Sequence, residues 1–268
     1  MKNIILVVTH KNVPLPEADC LKPVIVGNGD FEVAGALRDN TGDNISEKNP
    51  NYCELTALYW FWKNYRDYDN AGLCHYRRIF STNRFSKDPR YYLNSADIDR
   101  ILKRYDIILP EKIYFPCSTL DFLCGRGPGR YEDMEKLRNV LLSKYPEYIP
   151  AYDRYTVGNT GSYYNMFVTS KPVLERYCSF LFDVLGEVEK MTDLSSYTPV
   201  EARIYGYLSE ILMNIWVMTE KLKVRHMPVT ENLDYVTGNY WHYKLSTDVT
   251  ALKNIREFQK RKQICLER

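Results

Sequence analysis

Apolar positions recur with two different periods along this chain. A run of branched apolar residues from Ile4 to Val8 ends at Thr9-His10-Lys11 and predicts a buried strand followed by a polar loop. Pro23–Val26 predicts a second strand, closed by Gly27-Asn28-Gly29. Ala71–Tyr76, Asp106–Leu109 and Tyr163–Thr169 predict three more, the first with Arg77 and Arg78 at its carboxyl end. Between them the spacing changes to three and four. Tyr52–Tyr65 predicts a helix burying Leu55, Leu58, Tyr59 and Trp62, with Asn49 as N-cap and Pro50 at its first position. Ser95–Tyr105, Tyr131–Lys144 and Pro172–Glu189 predict further helices. The strongest is Pro199–Lys221, with a stripe of Val200, Ile204, Leu208, Ile211, Leu212 and Ile215 and Thr198 as its cap.

Strands alternating with helices predict an α/β fold on a mostly parallel sheet, one domain over residues 1–245. Ligands of such sheets bind beyond the carboxyl ends of the strands, which nominates Thr9–Lys11, Gly27–Gly29 and His75–Arg78 together. Residues 111–130, with Cys124-Gly-Arg-Gly-Pro-Gly-Arg130, predict a loop, and residues 246–268 a basic helical tail.

Composition narrows the classes. With 45% hydrophobic residues the chain can bury a core, and a formal charge of +2 gives no overall pull toward nucleic acid. Ile4–Val8 is too short for a signal peptide or a membrane span. Seven cysteines, an odd number with no CxxC pair, predict reduced thiols and a cytoplasmic protein. The 23 tyrosines suit sugar sites, yet they fill cores equally well.

Three constellations carry candidate chemistry. In His75-Tyr76-Arg77-Arg78, two guanidinium groups and an imidazole at a strand mouth suit a diphosphate clamp. Alternation along a strand would turn only one arginine toward the site and leave the other to pair with a carboxylate. The polar loop Asp39–Asn49, with Asp43, Asn44 and Ser46, suits hydrogen bonding to a base or ribose, or is a plain surface turn. Arg203, Tyr207, Glu210 and Asn214 share one flank of the long helix, where a carboxylate can serve as general base or merely face solvent. No Asp-x-Asp follows a buried strand: Asp67-Tyr-Asp69 precedes one and Asp97-Ile-Asp99 opens a helix. Phosphate-loop, dinucleotide, zincin and serine-hydrolase motifs are missing as well.

Several segments in order carry a resemblance: Asp43-Asn-Ile-Ser46, Asn51–Asn64, Gly72-Leu-Cys-His-Tyr-Arg-Arg-Ile-Phe80, Tyr105–Pro110, Asn165-Met-Phe167 and Arg203–Leu212. Over residues 3–230 the chain resembles a domain family of bacterial capsule, exopolysaccharide and O-antigen gene clusters, long labelled only a domain of unknown function. The resemblance implies a GT-A-like glycosyltransferase, in a family that includes transfer of galactofuranose from UDP-galactofuranose. It carries over Asp43, Asn44, Glu54, His75, Arg77, Arg78 and Glu210 as motif positions. Where relatives carry histidines, before the helix at 131 and before the Asn-Met-Phe strand, this chain has Arg130 and Ser162.

The expected enzyme is an inverting transferase of surface-polysaccharide synthesis that takes a UDP-sugar donor and a glycan or lipid-linked acceptor. Thr9, His10, Lys11, Asp43, Asn44, His75, Arg77 and Arg78 would bind the donor, and Glu210, or in second place Asp133, would be the base. No divalent metal is expected, and no nucleic acid. A non-catalytic nucleotide-sugar- or glycan-binding module that scaffolds other transferases is the alternative. The tail over 250–268, with Leu252, Ile255 and Phe258 among basic residues, is read as a peripheral contact at the inner membrane face or as a solvated terminal helix.

Overall fold

The computed structural model describes residues 1–27, 29–231 and 240–266. Eleven strands and eight α-helices are described: β1 (Asn3–Thr9), β2 (Leu21–Ile25), β3 (Leu37–Arg38), α1 (Asn49–Tyr52), α2 (Leu55–Asn64), β4 (Asn70–His75), β5 (Arg78–Phe80), α3 (Ser95–Leu102), β6 (Ile107–Pro110), β7 (Ile113–Tyr114), α4 (Tyr131–Lys144), α5 (Ile149–Val157), β8 (Thr160–Gly161), β9 (Phe167–Ser170), α6 (Lys171–Lys190), α7 (Ile204–Thr219), β10 (Val224–Met227), β11 (Val229–Glu231) and α8 (Tyr240–Leu266).

All seven residues of β1 are buried, as a central strand covered on both faces requires. The main sheet runs β10-β6-β9-β4-β1-β2-β3, and β5 and β11 extend it from β4. The pairs β1–β2, β1–β4, β2–β3 and β10–β6 are parallel, so the mostly parallel α/β reading holds. Within that row β9, inserted between β4 and β6, runs antiparallel to both its neighbours, and β5 runs antiparallel to β4 and β11. Alternate residues of β1 feed two separate layers. Ile4, Leu6 and Val8 join the large core of α2 and α4 to α7, while Ile5 and Val7 join the smaller one with Leu93 and Ile98 of the α3 side.

Three predicted elements change at their ends. The Tyr52–Tyr65 helix is two helices, because Cys53 takes φ 53° and breaks the ladder. Lys48, not Asn49, stands at the N-cap; the Asn49 amide instead bridges the break, donating to Cys53 O (2.8 Å) and Thr56 Oγ1 (3.2 Å). Leu55 and Leu58 are buried as expected, but Trp60 and Phe61 complete the buried face, while Tyr59 and Trp62 are half-buried. The predicted strand Tyr163–Thr169 is strand only from Phe167, since Tyr164 and Asn165 form a turn with φ 75° and 52°. At 199–221 a 3₁₀ turn precedes α7. Thr198 does cap this segment: its Oγ1 accepts from Glu201 N, and the Glu201 carboxylate accepts from Thr198 N, a reciprocal capping box.

The terminal helix starts at Tyr240, so a boundary at residue 246 falls inside it. Asp248 pairs with Arg84 at 2.6 Å, and the Asn254 amide donates to Tyr114 O, which lays the first turns of α8 against the body. Leu252 is exposed, whereas Ile255 and Phe258 are half-buried, so this trio does not present one apolar face outward. Arg268 of the expected basic tail lies outside the described residues. No described helix is long and apolar enough to cross a membrane.

Gly72 marks the closest approach in the sheet, where β4 meets the antiparallel β9. A Cβ there would run into the Phe167 carbonyl oxygen and the backbone of Val168. Overpacking against backbone cannot relax by rotamer change. Gly72→Ala is therefore expected to destabilise the fold by about 3 kcal/mol or more, read as a fall in the denaturation midpoint with an unchanged slope. A variant with the parental midpoint would contradict the β4–β9 register.

Candidate functional site

β1 and β4 are parallel neighbours with Val8 opposite His75, so both strands leave the sheet at the same edge. Beyond that edge lies an open recess of about 460 Å³. After β1 the chain supplies His10 and Lys11. Thr9 itself is fully buried and shapes this loop, its Oγ1 donating to Lys11 O (2.7 Å) and accepting from Lys11 N (3.1 Å). After β4, Tyr76 and Arg77 form a tight turn that sends Arg78 back into β5. Strand alternation is interrupted there, and both arginines line the recess. The expectation that only one would face it is corrected by this turn.

The charges are unbalanced. Lys11, Arg77, Arg78 and Arg203 line the recess, and among the described residues none makes a salt bridge to a carboxylate. Arg78 lies 4.2 Å over the Tyr164 ring with its Nε buried and unbonded, and Arg203 Nε donates to Cys53 Sγ at 3.1 Å. Burial and these cations hold the His10 imidazole below its ordinary range. Such a concentration of unpaired positive charge, walled by protein, attracts an anion.

Two carboxyl groups close the other side, and both grip the same turn. Glu210 Oε1 accepts from Tyr164 N at 2.6 Å. His75 Nε2 lies 2.5 Å from Tyr164 O, so this nitrogen carries the proton and donates. Glu54 Oε1 accepts from the Asn165 amide (2.7 Å) and lies 3.9 Å from His75 Nε2. The same amide donates to Gly206 O, and Ser209 Oγ donates to Asn165 Oδ1 at 2.7 Å. Two consecutive left-handed residues are costly, and this set of bonds keeps them there. Burial, and the neighbouring Glu54 charge, push the Glu210 carboxyl up to about 8, against the opposing pull of the Tyr164 N–H, Arg78 and Arg203. Glu210 and Asn214 on this flank of α7 are thus held by protein groups: Asn214 brackets Ser162 through both the N–H and the C=O of Ser162.

Other nominated residues lie elsewhere. Asp43 accepts from Tyr59 OH and Asn44 from Ser46 N, local bonds that shape the 39–49 loop, and neither lines the recess. The buried members of that loop are Asp39 and Ser46; Asp39 Oδ1 takes bonds from Gly27 N (3.2 Å) and Ser46 Oγ (2.6 Å). Gly27 serves this contact, and Asn28 lies outside the described residues. Asp133 is fully buried beneath Tyr197, whose OH donates to it at 2.6 Å, with Lys136 at 3.3 Å, and it lines no described recess. Arg130 makes a two-pronged contact with Glu201, and Ser162 Oγ donates to Pro110 O. Among the described residues no three His, Cys, Asp or Glu side chains converge as metal ligands.

Glu54, Cys53 and Tyr164 were the residues that residue-by-residue reading did not bring to the site. Glu54 follows a break that helical periodicity does not announce, and Tyr164 sits in a segment with a strand's composition.

Comparison with known proteins agrees with this architecture. None of the curated proteins matches the chain. Among solved structures it is similar to the apo form of a bifunctional glycosyltransferase, WbbM, with a TM-score of 0.80 and 32% identity. That likeness covers 86% of this chain and 45% of the other, so the chain spans less than half of that protein's length. The family described as a domain of unknown function, DUF4422, matches residues 4–221, a stretch that contains every residue lining the cationic recess, and the chain belongs to that family.

Proposed function

We propose that this chain is an inverting glycosyltransferase that moves a sugar from a UDP-linked donor to a hydroxyl of a glycan or lipid-linked acceptor. The observation that carries the reading is the set of unpaired cations at the carboxyl ends of β1 and β4, facing a carboxyl with a raised pKa. The similarity to a glycosyltransferase supports it. On the resemblance, UDP-galactofuranose is the donor to try first.

In this reading Arg77, Arg78, Lys11 and Arg203 hold the diphosphate and stabilise the negative charge that develops on it. The acceptor oxygen attacks the anomeric carbon from the side opposite the diphosphate. As the new C–O bond forms, the bond to the diphosphate oxygen breaks and UDP leaves with the electron pair. The acceptor proton passes to Glu210, whose Oε1 is fixed by Tyr164 N and whose Oε2 has no hydrogen-bond partner among the described residues. A carboxyl that titrates near 8 is a far stronger base than an ordinary one, which suits it to a hydroxyl proton.

Four outcomes are expected. Arg77→Ala and Arg78→Ala should each weaken UDP binding by about 1.5–3 kcal/mol, measured by calorimetry; parental affinity in both would return the arginines to a structural role. Turnover should survive EDTA, because His75-Tyr-Arg77 stands at the strand end where a metal-binding Asp-x-Asp would be; loss on chelation with rescue by manganese alone would contradict this.

Glu210→Gln should lower transfer at least about a hundredfold while sparing UDP binding. It should also change the pH dependence of stability. The folded-state pKa of Glu210 is above its unfolded value, so the folded chain holds the proton more tightly. That contribution is complete below the ordinary carboxylate range and is lost as pH rises through about 8. Between pH 5 and 8 the melting temperature of the parent should fall relative to that of Glu210→Gln, on the order of 5 °C. Parallel melting curves would mean that Glu210 is not buried as described.

A further inference from the structure

Glu210 and Tyr164 are shared by two recesses. Besides the cationic one, they line an apolar recess of about 410 Å³. Its walls are aromatic. Phe115 and Phe122 stack with centroids 3.8 Å apart, and Tyr163 meets Phe115 edge-on at 5.3 Å. Tyr207, from the turn of α7 preceding Glu210, and Tyr155 of α5 complete them. The tyrosine hydroxyls are mostly turned away from use: Tyr155 and Tyr163 bond each other at 2.8 Å, and Tyr207 donates to Val200 O. The recess therefore offers ring faces, with one carboxyl at its inner end.

We propose that this aromatic recess is the acceptor subsite and that it takes a single sugar residue, whose C–H face packs on the rings while a hydroxyl reaches Glu210. The inference rests on the transferase reading. Inversion requires the nucleophile to approach the anomeric carbon from the side away from the diphosphate, and none of the four cations Lys11, Arg77, Arg78 and Arg203 lines the aromatic recess. A base must touch the hydroxyl it activates, so the hydroxyl-bearing group has to enter a space that Glu210 borders. The aromatic recess is that space, and an isoprenoid chain seated there would leave the carboxyl facing hydrocarbon. Carbohydrate C–H faces pack well on aromatic rings, and a wall poor in polar atoms reads ring shape more than hydroxyl pattern.

Phe122 is the specificity-determining contact. It sits on a π-helical turn, Asp121–Arg126, within the glycine-rich segment after β7, and is 39% exposed, so its removal leaves the core intact.

The test uses the full chain with two probes: a panel of methyl glycosides of common hexoses, followed by saturation-transfer NMR, and UDP, followed by calorimetry. At least one glycoside should bind the parent, with a dissociation constant raised about tenfold or more in Phe122→Ala. Phe122→Tyr should restore it, and UDP affinity should not change in either variant. If no glycoside binds, or if binding is indifferent to Phe122 and lost instead with Arg77→Ala, the subsite assignment is overturned. Glycoside binding that depends on Phe122 in a protein that does not bind UDP would uphold a sugar site in the recess and overturn the transferase reading separately.

Discussion

The site depends on one local conformation, the left-handed pair Tyr164–Asn165. Neither residue is glycine, so the turn stands only because its polar groups are held from several directions. β4 contributes His75, the residue before α2 contributes Glu54, and α7 contributes Glu210, Gly206 and Ser209. Each of these bonds does two things. It fixes the turn, and it fixes the orientation of a side chain that borders the recess. The same turn ends the segment before β9, and so places the one antiparallel strand in the middle of the sheet. Sheet and site are thus joined through four residues of backbone.

Electrostatics at this joint are decided by burial more than by proximity. Four unpaired cations around the recess would be expected to pull a nearby carboxyl down. Glu210 shifts upward instead, because its loss of water and the adjacent Glu54 outweigh Arg78 and Arg203. His10, in the same recess, shifts the opposite way for the same first reason, since burial penalises its charged form too. The recess therefore brings permanent positive charge together with a carboxyl whose proton affinity is raised. In the proposed transfer the cations would meet the anionic donor and the carboxyl the acceptor hydroxyl.

Much of this was legible in the sequence. Ile4–Val8 reads as a buried strand, and its polar exit at Thr9-His10-Lys11 placed a loop at the edge where ligands bind. Four-residue and three-residue spacings located α4, α6 and α7 to within a few residues, because hydrophobic periodicity is a local property. The arginines after β4 and the carboxylate of Glu210 were identifiable as chemistry looking for a site, and Asp-x-Asp was visibly missing from its place.

What the sequence by itself determined was the principal strands and helices, their mostly parallel order and the residue types offered at the strand ends. Only the tertiary structure decided which of those residues meet. Arg77 and Arg78 both face the recess because a turn interrupts alternation, and a turn of Tyr-Arg has no glycine or proline to announce it. Asp43, Asn44 and Asp133 look like site residues in one dimension, but each is engaged away from the recess, by Tyr59, Ser46 and Tyr197. Tyr163–Thr169 has the composition of a strand, yet its first half is a strained turn held from residues up to 111 positions away in the chain. Local spacing encodes the free energy of local burial, whereas a strained turn and a shared recess are stabilised by contacts between distant segments, which exist only once the sheet has formed.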